Sequence, residues 1–434
     1  MVGTLALGAL VGFSCLLAMG VWVAVASLLV GVVILIITTG WSTALIFTGT
    51  LSWAALNSPI WVCVPLFVFM GVILVESRLG DRVYTGVAPF LDHFPGGLLY
   101  ANIIGGAMFA ATSGSSLAAA ATIGKIALPT MLKRGFPFQI TAGTIGAGAL
   151  LAPLIPPSLH AIFYASITEQ SIGRLFIAGM VPGLILAGIF IVHIAFWSFS
   201  TKSRLATGEQ VPWGTSIVRV IAIWPIVVLI VMVLGSIFAG IATASEAAAV
   251  GAFGAVFLAV IYRSFSWQVL KKATLDTMSL TCQLLFINVA VKVMQGALAR
   301  AGIISFITDS FVNLPVPPVV ILSMICLVFL FLGCFVADIP VLMMVVPVVY
   351  PTIRLLGYDP IWFGVVVTLL CLASALTPPV GIVLFVLQAL APERPLTEIY
   401  KGILPFIFTT LLMLVILVAF PQLALWLPNV MMGK

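Results

Sequence analysis

The chain alternates long apolar runs with short polar interruptions, and the run lengths set the elements. A helix rising 1.5 Å per residue needs roughly 20 apolar residues to cross a bilayer. Residues 4–38 are almost wholly apolar and hold two such spans, divided near Met19-Gly20. Residues 41–58 are richer in Thr, Ser and Trp and suit an interfacial helix or a connector. Residues 59–75 form a third span, ending in Glu76-Ser77-Arg78, and an amphipathic surface segment carries Asp81, Arg82 and Asp92. Residues 98–111 are too short for a comfortable crossing. They are followed by the break Thr112-Ser113-Gly114-Ser115-Ser116 and a second short run ending near Lys125. Two half-length apolar runs around a polar tip describe a re-entrant hairpin.

Beyond it, residues 138–168 cross, interrupted at Pro156-Pro157, and 175–199 return. After a polar loop at about 200–219 come crossings over 221–241, 247–262 and 275–298. Residues 319–337, Asp338 and 339–353 make a second hairpin. Residues 361–390, broken at Pro378-Pro379, and 403–427 complete the chain's apolar runs.

The two hairpins belong to a repeat. Pro129, Thr130, Gly135, Leu154, Pro156 and Pro157 fall at constant offset on Pro351, Thr352, Gly357, Leu376, Pro378 and Pro379. Most of these are residues that shape backbone rather than interchangeable Leu or Val, and such internal repetition marks transporter architectures. Ser116 then corresponds to Asp338, so each copy sets a polar tip ahead of a proline pair. An odd number of crossings between the hairpins inverts the second copy. The expected fold is an all-α polytopic membrane protein with inverted-topology repeats, two re-entrant helical hairpins and two broken helices. Its parts are N-terminal scaffold spans and a connector (1–94), a first repeat (95–200), central scaffold spans (201–298), a second repeat (299–427) and a C-terminal tail (428–434).

Composition agrees. Hydrophobic residues make up 63% and charged residues 7% of the chain, which excludes a soluble globular domain. The net charge of +6 comes from Lys and Arg scattered in short loops, with no basic tract, and so implies positive-inside orientation rather than nucleic acid. Arg78, Arg82, Lys133, Arg134, Lys202, Arg204, Arg219, Arg263, Lys271, Lys272, Arg394 and Lys401 mark the cytoplasmic face. Both termini then lie on the opposite face. The six cysteines show no CxxC or Cys/His cluster and read as small buried hydrophobes. No nucleophile/base pair or nucleotide loop suggests an enzyme.

The breaks carry the candidate chemistry. Proline has no amide hydrogen, so Pro156 and Pro157 leave the Ala152 and Pro153 carbonyls without helical donors, and Pro378 and Pro379 do the same for Ser374 and Ala375. Free carbonyls at mid-membrane suit a small hard cation. Ser113, Ser115 and Ser116 add hydroxyls at the first tip, Gly114 permits close backbone approach, and Asp338 adds a carboxylate at the second. An ionisable side chain within an apolar region is costly and usually functional. Glu246 reads as a helix N-terminal charge. Lys292 either pairs with a carboxylate or snorkels, and His160 is placed to line a cavity, whereas His93 and His193 read as interfacial or packed.

At these residues the chain resembles the large membrane subunit of the tripartite ATP-independent periplasmic (TRAP) transporters. The shared blocks include Pro65-Leu66-Phe67, Gly114-Ser115-Ser116-Leu117-Ala118, Leu154-Ile155-Pro156-Pro157-Ser158 and Ser171-Ile172-Gly173-Arg174-Leu175-Phe176. Ser245-Glu246-Ala247-Ala248-Ala249, the segment 333–338 and Leu376-Thr377-Pro378-Pro379-Val380-Gly381 follow in order.

The resemblance implies a sodium-coupled importer of elevator type in the bacterial inner membrane. It would work with a small membrane subunit and a periplasmic solute-binding protein that delivers an organic acid, with Na+ as coupling ion and no organic cofactor. The candidate sodium ligands are Ser113, Gly114, Ser115, Ser116, Ala152 and Pro153 in one copy. In the other they are Gly333, Ala337, Asp338, Ser374, Ala375 and Thr377. Pro156, Pro157, Ser158, His160, Pro378, Pro379 and Gly381 would border the substrate cavity. Two places depart from the family pattern: the lead Ala242-Thr243-Ala244-Ser245, which bears on a helix cap, and Ile339-Pro340 after Asp338, which leaves the second tip poorer in hydroxyls. The competing reading is a stand-alone ion-coupled carboxylate carrier or a cation/proton antiporter.

Overall fold

A computed structural model of the protein describes residues 2–200, 212–378 and 381–433, apart from the side chains of residues 110–113. Among these residues all regular structure is helical. The N-terminal region contains α1 (Val2–Ala18), α2 (Val23–Thr39), α3 (Trp41–Leu56), α4 (Cys63–Glu76) and α5 (Leu79–Leu91). The first repeat contains α6 (Gly97–Ser113), α7 (Ser116–Lys133), α8 (Phe138–Ala149), α9 (Leu159–Thr168) and α10 (Ile172–Ser200). After the first repeat come α11 (Trp213–Ile221), α12 (Trp224–Phe238), α13 (Ala244–Ile261) and α14 (Trp267–Arg300), and α15 (Ile303–Val312) leads into the second hairpin. The second repeat is α16 (Pro318–Gly333), α17 (Asp338–Leu355), α18 (Pro360–Leu376), α19 (Ile382–Leu390) and α20 (Leu396–Ala419), and α21 (Gln422–Met432) closes the chain. Seven helical segments among the described residues are long and apolar enough to cross a membrane.

The internal repeat is visible in the helices themselves. α7 and α17 have the same length, 18 residues, and begin at the matched residues Ser116 and Asp338. Both end before a left-handed glycine, Gly135 at φ +82° and Gly357 at φ +81°. A side chain there would strain the backbone, so Gly serves both stops.

The copies interlock rather than sit side by side. α7 packs on α19 and α9 on α17, while α8 packs on α20 and α10 on α18. Around them, α14 lies against α2, α3 and α4, and α13 against α4 and α12. Lys272 at the start of α14 reaches Glu76 at the end of α4, 2.8 Å away. Arg134, after α7, bonds Asp92 at 2.6 Å and fastens the first hairpin to the end of α5.

Several boundaries differ from the sequence reading. α14 starts at Trp267 rather than near residue 275, because the Ser266 hydroxyl accepts the Val269 amide at 3.2 Å and caps an earlier turn. Lys271 and Lys272 are therefore helical. The last apolar run is not one helix over 403–427: α20 ends at Ala419, and α21 starts afresh after Pro421. Residues 428–432, assigned to a tail, belong to α21, whose Asn429 Oδ1 accepts from Arg174 at 3.0 Å. The altered lead before α13 still caps it. Thr243 and Glu246 form a reciprocal capping box, which is the helix N-terminal role expected for Glu246. Lys292 forms no ion pair among the described residues.

Helices α8 and α20 meet through glycine. A Cβ on Gly402 would lie 1.9 Å from the Gln139 carbonyl oxygen, and one on Gly143 would lie 2.2 Å from that of Gly402. Small residues let membrane helices approach closely and gain packing contacts. Gly402→Leu is therefore expected to destabilise the detergent-solubilised protein by about 2 kcal/mol or more. Gly188→Leu, where nothing lies within 4 Å, is expected to leave it unchanged. Comparing the two melting temperatures with wild type checks this.

Candidate functional site

In each copy the hairpin tip reaches the break in the same copy's next helix. Gly114 sits at the first tip with φ +60°, and a Cβ there would come within 2.9 Å of the Pro157 carbonyl oxygen. At the second tip, a Cβ on Gly333 would meet the Ser374 Oγ at 2.3 Å. Both tips therefore rest on polar atoms at a distance only glycine allows. Phe67, Pro157, Ser158, Leu159 and Ile162 close around Gly114 and leave no room for a water.

The first break is wider than the proline pair. α8 ends at Ala149, and residues 150–158 run as turns before α9 begins at Leu159. Ser158 organises the restart: its hydroxyl accepts the Ala161 amide at 3.3 Å and donates to the Pro153 carbonyl. The Pro153 carbonyl, expected to be free, is thus partnered. The second break has a similar correction, since the Thr377 amide donates to the Ser374 carbonyl at 3.0 Å and the Thr377 hydroxyl to that of Ala373 at 2.7 Å. The physical reason is common to both: nearby hydroxyl and amide donors replace the amide that proline lacks, because a buried unpaired carbonyl is expensive. Ala152 lies in the first break and Ala375 in the last turn of α18 before the second, both buried. Gly381, at φ +48°, starts α19, and Pro378 is exposed. Pro379 and the Ser113 side chain lie outside the described residues.

The tips then converge. A cavity of about 650 Å³ is lined by Gly114, Ser115 and Ser116 of one tip and Ala337, Asp338 and Ile339 of the other, with His160 from α9. Pro156, Pro157, Ser158, Pro378 and Gly381 are not among its described lining; Pro157 and Ser158 stand behind the Gly114 tip instead. Ser115 caps α7, its hydroxyl accepting the Ala118 amide at 3.4 Å. Asp338 opens α17, and its Oδ1 accepts the Ile339 amide at 2.9 Å. Two helix N-termini therefore face one cavity, each carrying partial positive charge.

His160 and Asp338 join the copies. The His160 Nε2 lies 3.1 Å from Asp338 Oδ2, without the alignment of a hydrogen bond, and the ring is 3% exposed. The Cys371 thiol adds a contact from α18 to the Asp338 carbonyl at 3.6 Å.

The opposite wall was not anticipated from the sequence. It consists of Trp22, α4 residues ending at Glu76, and an α14 stripe of Asp276, Ser279 and Gln283. A signal existed, because those three residues recur at helical spacing on a helix whose mean hydropathy, 1.5, is below that of most of the other spans. His93 and His193 are packed away, against Trp213 and Phe406 respectively.

The comparisons with known proteins agree with this architecture. The family model for the tripartite ATP-independent periplasmic transporter, DctM component, matches residues 10–423. The chain belongs to the DctM family of TRAP transporter large permeases. It is 28% identical to the sialic acid TRAP transporter large permease SiaM of Vibrio cholerae, over 98% of this chain and 99% of that one. It is 32% identical to the C4-dicarboxylate TRAP transporter large permease DctM of Pseudomonas aeruginosa, covering 85% and 86% of the two chains. The ectoine TRAP transporter large permease TeaC of Halomonas elongata is also 32% identical, covering 84% and 85%. Among solved structures, the Alcanivorax borkumensis YdaH transporter matches with a TM-score of 0.60 at 14% identity, over 89% and 88% of the chains. That likeness concerns the fold alone. The DctM-family chain is a multi-pass membrane transporter component, not an enzyme.

Ser158 gives the first test of the site's construction. Ser158→Ala removes an N-cap and the donor to the Pro153 carbonyl, both buried. A stability loss of about 1–2 kcal/mol is expected, read as a lower melting temperature, with Ser158→Thr retaining most of it.

Proposed function

We propose that this chain is the translocating subunit of a sodium-coupled TRAP importer in the bacterial inner membrane. The solute is a small carboxylate-bearing organic molecule, delivered by a periplasmic binding protein, and a small membrane subunit completes the transporter. The observation that carries this reading is the meeting of each tip with its own helix break, Gly114 on Pro157 and Gly333 on Ser374, beside one cavity. Hydroxyl, carbonyl and carboxylate oxygens gather at those meetings, and such hard oxygens suit a small alkali cation.

The first sodium site would draw on the tip at 113–116 and the carbonyls of the first break, and the second on Asp338 with residues 374–377. The corrected partners of Pro153 and Ser374 fit this use, since a carbonyl oxygen has two lone pairs and can accept a bond while facing an ion. The interlocked repeats form the moving part. The helices around α14 form the frame, and travel of one against the other carries the cavity across the membrane as an elevator. Re-entrant hairpins, opposed orientation of the copies and periplasmic termini follow from the charge distribution under the positive-inside rule. Names of relatives supply the solute chemistry: sialic acid, C4-dicarboxylates and ectoine all bear carboxylates.

Uptake into proteoliposomes tests the reading. Transport is expected only with this chain, its small subunit and its binding protein together under an inward sodium gradient. Asp338→Asn and Ser115→Ala are expected to reduce sodium activation by about tenfold or more while the variants still assemble. Uptake by this chain alone would favour a stand-alone carrier, and undiminished sodium activation in both variants would overturn the site assignment.

A further inference from the structure

Two short helices lie together where two spans end. α5 follows the α4 span after only Ser77 and Arg78, and α11 leads into the α12 span through Ala222 and Ile223. At 13 and 9 residues, neither is long enough to cross a bilayer by itself. They run antiparallel, one along the other. Trp213 stacks on His93 with ring centroids 3.9 Å apart and meets Phe90 and Phe94 edge-on. The Ser216 hydroxyl donates to the Pro89 carbonyl at 3.4 Å, and a Cβ on Gly86 would lie 3.0 Å from the Arg219 carbonyl oxygen. Each step forward on α11 is matched by a step back on α5.

Where this pairing runs out, a cavity of about 290 Å³ remains, lined by Arg82, Thr85, Gly86, Arg219 and Ala222. None of its described lining is acidic. Neither arginine has an ion-pair partner among the described residues. The neighbouring carboxylate, Asp81, is acted on by Arg78 and Lys125 instead. Arg82 is also braced. Its guanidinium carbon sits 4.5 Å from the centroid of the Tyr262 ring, whose hydroxyl donates to the Ala222 carbonyl at 3.3 Å. The C-terminal end of α11 offers roughly half a negative charge, well short of two guanidinium charges. The cavity therefore keeps an unanswered positive charge, and the planar guanidinium fork matches the oxygens of a phosphate.

The surroundings say where that phosphate comes from. Trp213, Ile217, Val218, Ile221 and Trp224 are exposed on and beside α11. A short helix that joins exposed apolar residues to an arginine, with tryptophan at its start and just beyond its end, belongs in the membrane interface. Arg82 and Arg219 then open at the depth of lipid headgroups.

We propose that this cavity binds the phosphate of an anionic phospholipid, with the acyl chains lying along the exposed apolar side of α11. A zwitterionic lipid would bring an ammonium group toward the two arginines; an anionic one brings none. The inference is independent of the sodium and solute readings and needs only that α4 and α12 span the membrane.

Thermal-shift titration of the purified, delipidated chain in neutral detergent tests the proposal. The probes are dioleoyl phosphatidylglycerol, dioleoyl phosphatidylcholine and inorganic phosphate. Phosphatidylglycerol is expected to raise the melting temperature at mole fractions where phosphatidylcholine does not, and millimolar inorganic phosphate is expected neither to reproduce nor to displace that response. The double variant Arg82→Gln with Arg219→Gln is expected to need roughly tenfold more phosphatidylglycerol for the same shift. Arg82→Lys with Arg219→Lys, which keeps the charge, is expected to recover most of the response and separates lost charge from lost fold. Arg354→Gln, an exposed arginine that follows the second hairpin, is expected to respond as wild type. Equal stabilisation by the two lipids, an unchanged response in the double glutamine variant, or an equal loss in Arg354→Gln would overturn the proposal. Displacement of the lipid response by inorganic phosphate would overturn it as well, by making the cavity a site for the free ion.

Discussion

Hydrocarbon offers no hydrogen bonds, so a helix can break inside a membrane only where protein or water satisfies the peptide groups it frees. The architecture follows from that constraint. Residues 150–158 leave helical geometry, and Ser158 binds both the Pro153 carbonyl and the first turn of α9. At the second break Thr377 serves both its own amide and its hydroxyl to the preceding turn. Each repaired break is then covered by a glycine-bearing tip at a distance that excludes a side chain. Polar backbone that would be intolerable in lipid becomes the inner lining of the protein.

The repeat supplies this arrangement twice, and the interlock makes the copies unequal. α7 and α17 begin at matched positions, but one opens with Ser116 and the other with Asp338. Because α9 packs on α17 while α19 packs on α7, His160 meets Asp338. The residue at the offset position of His160 is Ile382, which has no polar group to offer Ser116. Charge therefore enters one half of the pair, and the proposed sodium sites differ in kind: hydroxyls and carbonyls at one tip, a carboxylate at the other.

Most of the helical plan was legible because membrane crossing is a constraint on length, and apolar length is written directly in the chain. The tips and breaks were legible for the opposite reason, since Ser115, Gly114 and the proline pairs interrupt that pattern at positions repeated by the second copy. What escaped was set by packing between distant segments. No local pattern announces that His160 lies 3.1 Å from Asp338, or that Ser158 donates to the Pro153 carbonyl. The early start of the first break, the split between α20 and α21, and the early start of α14 turned on caps and prolines within a few residues, where apolar length discriminates poorly. The cavity's far wall lacked such a mark: Asp276, Ser279 and Gln283 fit the solvated end of a span equally well until α14 packs across from the tips.

The proposed sodium sites rest on the meeting of tip and break, with Asp338 at one of them. Equilibrium binding of radioactive sodium to the purified chain tests this most directly, without partners or solute. Saturable binding is expected that an equal concentration of potassium does not displace and that Asp338→Asn reduces. Absence of saturable binding, or full displacement by potassium, would contradict it.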